Sequence, residues 1–349
     1  VNELERIVRE VVARKPYLLA TVVRVEGSSY RRPGARMLVA GERWISGCVS
    51  GGCLEGDVLM KGAFHIRDGP AVITYDSSRD EGDPWGVGLG CGGVVDLLLE
   101  RVDGPTHDVL AFAAACFERE TTGVLATVIR SDRTDVRVGS RVGVGPYVTM
   151  QRPVAACEVT HALVAACSGP PGVVEVSGVT ALVEVIAPSP QLFVLGSGHD
   201  AGPLVSFARS LGFRVTVADA SIHERSRFVG ADRVIATNGE MEPVRELIDA
   251  AHDPFVVIMH HAHAADAAAI GMALASRARY VGVLGPARRT RELLAPGRAS
   301  DPRLHAPVGL DIGAETPEQI ALAIAAELQT VAHAGRGGRL RDRARSIHG

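Results

Sequence analysis

Leu192-Phe193-Val194-Leu195-Gly196-Ser197-Gly198-His199-Asp200-Ala201 decides the fold of the later part of this chain. Four apolar residues predict a short buried strand. Glycines at the first and third places of the following turn, and alanine at the sixth, give the G-x-G-x-x-G/A pattern that carries a strand into a helix around a phosphate. Gly196 makes the tight turn, Gly198 admits a diphosphate to the backbone, and Ala201 lets helix and strand pack closely. Asp219 ends the next predicted strand, at about the 20-residue spacing where such folds place an acid for a ribose 2′-hydroxyl.

Outward from this turn, short apolar strands alternate with helices. Strands are predicted at 192–195, 214–218, 233–236, 255–259 and 280–284, and helices at 203–211, 242–251 and 265–277. Strict alternation predicts a parallel sheet covered on both faces. Thr316, Pro317 and Gln319 form a capping-box start for a last helix through 320–331. Met259-His260-His261-Ala262-His263 follows a predicted strand and lies with His199 at the carboxyl edge of the sheet. Two readings stand for these histidines: a transition-metal site, or ordinary loop residues of which one touches a ligand.

Ala187-Pro188-Ser189-Pro190 marks a domain edge, and before it the pattern differs. A helix at 3–13, strands at 18–25 and 35–39, a helix at 54–66, and strands at 72–75 and 94–100 predict an α+β domain. Leu19-Ala20-Thr21-Val22-Val23-Arg24 is echoed by Leu125-Ala126-Thr127-Val128-Ile129-Arg130, and Gly34-Ala35-Arg36-Met37 by Gly139-Ser140-Arg141-Val142. With a helix predicted at 109–119, this predicts a degenerate duplication of halves 1–104 and 105–187. Chance likeness between β-branched strands is the alternative. The expected organisation is α/β overall: an N-terminal α+β domain over 1–187, a Rossmann-like parallel-sheet domain over 188–333, and a basic, flexible tail over 334–349.

The first half holds two cysteines seated against glycine pairs, Ser50-Gly51-Gly52-Cys53-Leu54-Glu55 and Gly90-Cys91-Gly92-Gly93. Glycine removes bulk beside the thiol and lets backbone N–H groups approach an anion. Either these are packed core cysteines, the commonest fate of the residue, or they form a ligand site. Cys116, Cys157 and Cys167 lie in Ala/Val-rich stretches and are expected to pack. Ser28-Ser29-Tyr30-Arg31-Arg32-Pro33-Gly34 reads either as a phosphate grip or as a solvated hairpin.

The bulk numbers fit these assignments. At 349 residues the chain has room for roughly two domains of about 150 residues each. A net charge of −3 and only 4% aromatic residues disfavour nucleic acid as a partner. There is no apolar run of the ~20 residues needed to span a bilayer, and Val1–Arg6 lacks a signal-peptide core. A cytoplasmic protein with reduced thiols is therefore expected.

Taken together the motifs resemble the XdhC/CoxI family, the accessory proteins of xanthine dehydrogenase and related molybdenum hydroxylases. The likeness runs through Gly27-Ser28-Ser29, Pro33-Gly34-Ala35-Arg36-Met37, Gly47–Val58 and Gly88–Gly93. It continues through Gly196–His199, Tyr280–Gly285, Arg288-Arg289, Pro307–Ala314 and Thr316–Ala321. The resemblance implies a cofactor chaperone rather than a stand-alone enzyme. It would bind molybdenum cofactor, protect it, support its sulfuration with a cysteine desulfurase, and insert it into an apo molybdenum hydroxylase of xanthine dehydrogenase type. The implied cofactor-binding residues are Arg36, Ser50, Gly51, Gly52, Cys53, Glu55, Cys91, Gly92, Gly93, Gly196, Gly198, His199, Asp219 and His261, with Cys53 and Cys91 near the molybdenum. Thiolates suit a soft dithiolene-bound metal, and arginines and backbone N–H groups suit a pterin phosphate. Departures from the family are Cys48 where Ser is usual, no Arg two places after Asp219, and His260-His261 in place of Thr-His. Two other functions stay open: an NAD-dependent oxidoreductase using the Rossmann turn, and a non-catalytic interaction scaffold. A homodimer is compatible with the sequence, though no feature demands it.

Overall fold

The computed structural model describes the chain apart from residues 1, 13–14, 77–92, 146–148, 152–156, 221, 223–224, 261, 295–299 and 343–349. Contacts divide it into two units, Glu3–Pro188 and Ser189–Arg343. Among the described residues no helix is long and apolar enough to cross a membrane.

The N-terminal unit holds two five-stranded antiparallel sheets. The first half supplies α1 (Glu3–Glu10), β1 (Tyr17–Glu26), β2 (Arg36–Ala40), β3 (Arg43–Gly47), α2 (Glu55–His65), β4 (Ala71–Asp76) and β5 (Val94–Val102). The second supplies α3 (Asp108–Glu118), β6 (Gly123–Ser131), β7 (Arg141–Val144), β8 (Thr149–Gln151), α4 (Cys157–Ala166), β9 (Gly172–Val176) and β10 (Val179–Ile186). The strand orders are β3-β2-β1-β5-β4 and β8-β7-β6-β10-β9, so each element of one half has its counterpart in the other. The likeness extends to irregularities. The β1–β5 ladder skips Val23, and the β6–β10 ladder skips Ile129, the residue that echoes Val23. Gly34 N–H donates to Val22 O at 2.8 Å, and Gly139 N–H to Val128 O at 2.9 Å.

Each sheet is buried on both faces. Leu18, Ala20 and Val22 face α2 through Leu54 and Val58, and Ala126 and Val128 face α4 through Val159 and Leu163. On the other face Leu19 and Leu125 share one core with Ile7 of α1 and Phe112 and Cys116 of α3. Alternation along each strand sends successive side chains to opposite faces, so both sets must be apolar. Val23, Leu98, Ile129 and Leu182, two pairs of counterparts, close a small cluster of their own.

Two buried ion pairs cross between the halves, and they are reciprocal. Arg36 of β2 donates to Glu184 of β10, and Arg141 of β7 donates to Glu100 of β5, both at 2.5 Å. Glu100 lies opposite Leu19 in its ladder and Glu184 opposite Leu125, so the acids are counterparts as the arginines are. Gly34 sits so close to Glu184, and Gly139 to Glu100, that a Cβ at either glycine would lie 3.1 or 3.4 Å from the carboxylate. Residue i of one half meets residue j of the other, and j meets i, which is the contact pattern of a two-fold interface.

The C-terminal unit is a six-stranded parallel sheet in the order β13-β12-β11-β14-β15-β16. The strands are β11 (Gln191–Leu195), β12 (Arg214–Asp219), β13 (Arg233–Ala236), β14 (Pro254–Ile258), β15 (Tyr280–Val283) and β16 (Leu304–His305). The helices are α5 (Ala201–Ser210), α6 (Glu242–Ala250), α7 (His263–Ala275), α8 (Ala287–Leu293) and α9 (Pro317–Ala332). Leu192 and Val194 pack with α5 and α9, while Phe193 and Leu195 pack with α6 and α7. The strand order reverses between β11 and β14, the switch point at which open parallel sheets take their ligands. The capping box of α9 forms as the sequence predicts: Gln319 N–H donates to Thr316 Oγ1 at 3.3 Å and Thr316 N–H to Gln319 Oε1 at 3.1 Å. Glu327 of α9 then anchors the loop beyond β16, accepting from Tyr280 OH at 2.5 Å and Gly309 N–H at 2.9 Å.

Candidate functional site

In the N-terminal unit, β3 ends at Gly47 and α2 begins at Glu55, with the glycine–cysteine loop between them. The sequence leaves the loop amides open to a ligand anion; the structure corrects this. Glu55, only 2% exposed, turns its carboxylate back into the loop. Oε1 accepts from Val49 N–H at 3.0 Å and Ser50 N–H at 2.7 Å, and Oε2 from Gly52 N–H at 3.1 Å and from the Ser50 hydroxyl. Ser50 Oγ in turn accepts from Leu54 N–H at 3.0 Å. An anion already fills this concavity, and it belongs to the chain. Burial alone would raise the Glu55 pKa, but the hydrogen bonds from Ser50 and Val49 hold it below the usual carboxylate value.

What the loop presents outward is Cys53, an exposed residue with a free thiol. Gly51 lies under the Tyr30 ring, within 3.7 Å of where a Cβ would stand. Gly93 is pressed against the same 27–34 loop: a Cβ there would stand 2.1 Å from Ser28 O, so no larger residue fits without moving the backbone. The Ser28–Tyr30 turn thus touches both glycine-bearing segments. Cys91 and Gly92, expected with Cys53 at the cofactor, lie outside the described residues. Arg31 is committed to Glu3 at 2.5 Å. Arg36, expected among the cofactor-binding residues, is instead 4% exposed and held by Glu184 and by Gly34 O at 2.9 Å, because the sheet buries it between the halves.

The other thiols differ in kind. Cys48 is half-buried and its thiol is pushed up by burial, against the nearby Arg31 and with Glu3 and Glu55. Cys116 is pushed up to about 11 by burial, and burial also raises Cys167. Both are core thiols, inert as nucleophiles near neutral pH. Cys157 begins α4, and its side chain lies outside the described residues.

In the C-terminal unit the turn after β11 carries Gly196 at φ 128°, and a Cβ there would lie 2.5 Å from Met259 O and 2.9 Å from His260 N. Only glycine lets the turn meet the end of β14 so closely. Ser197 OH donates to Asp219 Oδ2 at 2.6 Å, and Asp219 Oδ1 accepts from Ala220 N–H at 2.6 Å. Asp219 therefore braces the turn while remaining half-exposed at the sheet edge. Gly198 is half-buried and His199 exposed just ahead of α5. His261 lies outside the described residues. Among the described residues no group of three His, Cys, Asp or Glu side chains could hold a metal ion.

The family model for the XdhC Rossmann domain matches residues 192–328, and that for the XdhC and CoxI family matches residues 11–76. A Bacillus subtilis protein, named as a probable subunit of xanthine dehydrogenase, is 30% identical over 320 residues, spanning 89% of this chain and 92% of the relative. The chain belongs to the XdhC and CoxI family. A solved structure from Bacillus halodurans, named a xanthine dehydrogenase, is similar with a TM-score of 0.79 at 28% identity, covering 99% of this chain and 98% of that one. The Escherichia coli molybdenum cofactor insertion chaperone PaoD is 32% identical over 97 residues, 27% of this chain and 29% of that protein.

For this member of the XdhC and CoxI family, sequence reasoning singles out Ser50, Gly51, Gly52, Cys53 and Glu55, which lie together between β3 and the start of α2, but does not place Tyr30 against Gly51. It also misses a network beside Gly196. Asp266 of α7, 1% exposed, accepts at Oδ1 from His260 N–H at 3.2 Å and lies 3.2 Å from His260 Nδ1, while Oδ2 takes Arg289 of α8. The signal was present: Asp266 is the single acid of an alanine-rich helix.

Proposed function

We propose that this protein matures a molybdenum hydroxylase of xanthine dehydrogenase type. It takes molybdenum cofactor as cargo, supports its sulfuration by a cysteine desulfurase, and inserts it into the apo-enzyme. The observation that carries this is the exposed Cys53, a free cysteine on a loop fixed from beneath by Glu55. A thiol so held is a soft ligand or sulfur contact at a defined place, which a dithiolene-bound molybdenum centre suits. Family membership and the partial likeness to an insertion chaperone support the same direction. The Gly51 and Cys53 amides, beside Cys53 and not among the donors to Glu55, are available in this reading to such cargo.

The test is cofactor retention and transfer. The full chain, purified with pterin cofactor, is mixed with apo-hydroxylase, and retained cofactor and restored hydroxylase activity are both measured. Cys53→Ser is expected to weaken retention at least about tenfold, the equivalent of ~1.4 kcal/mol, with folding unchanged because the residue is exposed. Retention and transfer equal to those of the unaltered protein would remove Cys53 from the mechanism.

A further inference from the structure

We propose that the outer face of α2 is the surface on which the acceptor apo-hydroxylase docks while cargo leaves the Cys53 loop. Gly56, Met60, Ala63 and Phe64 are all exposed. At about 3.6 residues per turn, their spacings of four, three and four residues put them on one side of the helix. Val58 and Gly62 lie on the opposite side and are buried. Met60 keeps 78% of its surface and Phe64 61%. Arg67, just beyond the helix and also exposed, lays its guanidinium over the Phe64 ring at 4.6 Å from the centre. The stripe is therefore apolar along its length and cationic at its far end. Lys61, on its flank, is engaged by Asp57 at 2.5 Å.

The fold does not call for such a face. α4 holds the corresponding place in the second half, between β8 and β9 as α2 lies between β3 and β4. Both helices pack an apolar side against their own sheet, Val58 in one and Val159 with Leu163 in the other. Outward, however, α4 exposes Glu158, His161 and Ala165. Large apolar side chains grouped on one exposed face, where the matching helix has none, mark a surface for a partner.

Size and place name the occupant. Met60, Phe64 and the small residues between them present roughly 300 Å² of apolar surface. Each partner of a stable complex buries about 800 Å². The stripe is too small to hold a second copy of the chain permanently, and it suits a client that arrives, takes its cargo and leaves. α2 begins two residues after Cys53, so a protein lying along the stripe also meets the loop that bears the thiol. The fitting partner surface is an apolar strip of the acceptor enzyme with a carboxylate placed for Arg67. This inference rests on the cofactor-transfer function proposed above.

The test separates docking from cargo. The full chain, loaded with pterin cofactor, is titrated calorimetrically into apo-hydroxylase, and retained cofactor is measured in parallel without the enzyme. The double variant Met60→Ser, Phe64→Ser is expected to weaken association at least about tenfold, with retention and thermal melting unchanged because both residues are exposed. Arg67→Glu is expected to weaken association as well, and by less at high salt. The control pair His161→Ser, Ala165→Ser on α4 is expected to change neither quantity. Equal association of the double variant and the unaltered chain would overturn the docking surface and leave the transfer function standing. No association by the unaltered chain, or no retained cofactor, would overturn both. Sedimentation of the chain alone and titration with the cysteine desulfurase assign the stripe otherwise. A dimer, or a desulfurase complex, that the double variant abolishes while apo-hydroxylase still binds would also overturn the proposal.

Discussion

Glu100→Ala is expected to destabilise the N-terminal unit by about 3–5 kcal/mol. The acid itself is not the cause. Arg141 is 0% exposed, and without Glu100 its guanidinium stays buried with its charge uncompensated. Arg36 without Glu184 suffers the same fate less severely, because the Glu184 side chain keeps 11% of its surface and water can take part of the load. The double variant Glu100→Leu, Arg141→Met is expected to recover most of the loss, since replacing both partners removes desolvation and attraction together. Denaturant melts of Glu100→Ala, Glu184→Ala and the double variant check this. A loss under about 1 kcal/mol for Glu100→Ala would mean that water reaches Arg141 after all. We propose that the reciprocity of these pairs is the trace of an internal duplication. On that view, disturbing either pair lowers the stability of both halves in a single transition.

Glu55→Gln should produce the other large effect. The carboxylate accepts from three backbone amides and a hydroxyl, and hydrogen bonds to a charged acceptor contribute about 1.5–3 kcal/mol each. Glutamine keeps one acceptor oxygen and turns an NH2 toward groups that also donate. A local loss of about 3 kcal/mol is expected, which corresponds to roughly hundredfold faster amide exchange at Val49, Ser50 and Gly52. The pH dependence has a definite sign. The folded pKa of Glu55 lies below its unfolded value, so its stabilisation is present above the ordinary glutamate pKa and is lost as pH falls through the folded value. Exchange at these amides should therefore accelerate, relative to the rest of the unit, only on the acid side. Protection in Glu55→Gln equal to that of the unaltered chain would show that the loop holds its shape without the carboxylate.

The C-terminal unit is the more legible of the two. Strands β11 to β15 follow predicted positions within a residue or two because each is a short apolar run bounded by turn residues, whereas the two-residue β16 has no such run and escapes prediction. In the N-terminal unit, β3, β8, β9 and β10 escape prediction from sequence. β3 is an edge strand with exposed Arg43 and Trp44, so it lacks an apolar run. β10 is central and buried, but Glu184 and the preceding Thr180 break its apolar pattern. An acid inside such a strand makes sense only once its partner, 148 residues away, is known. The α1 helix stops at Glu10, short of the predicted 13.

At the candidate site the same division holds. Gly51, Gly52, Gly196 and Gly198 stand out because glycine beside a strand end is a local signal, and a turn is settled by the residues within it. The roles of the charged side chains do not, because a charge is assigned by its partner. By resemblance Arg36 and Glu55 both read as cofactor contacts. In the fold one closes a pair across the two halves, and the other serves as the anion of its own loop.

By itself the sequence determined the strand–turn–helix at Gly196–Ala201, the alternating order that makes a parallel sheet, and the echo between residues 19–24 and 125–130. These depend on neighbours within a few residues, where periodicity and glycine placement act directly. Only the tertiary structure decided which donors meet which carboxylates: Arg141 with Glu100 across 41 residues, Arg36 with Glu184 across 148, and Arg289 with Asp266 across 23. Electrostatic partners are fixed by distance in space and by the removal of water, and neither quantity is written in the order of the chain.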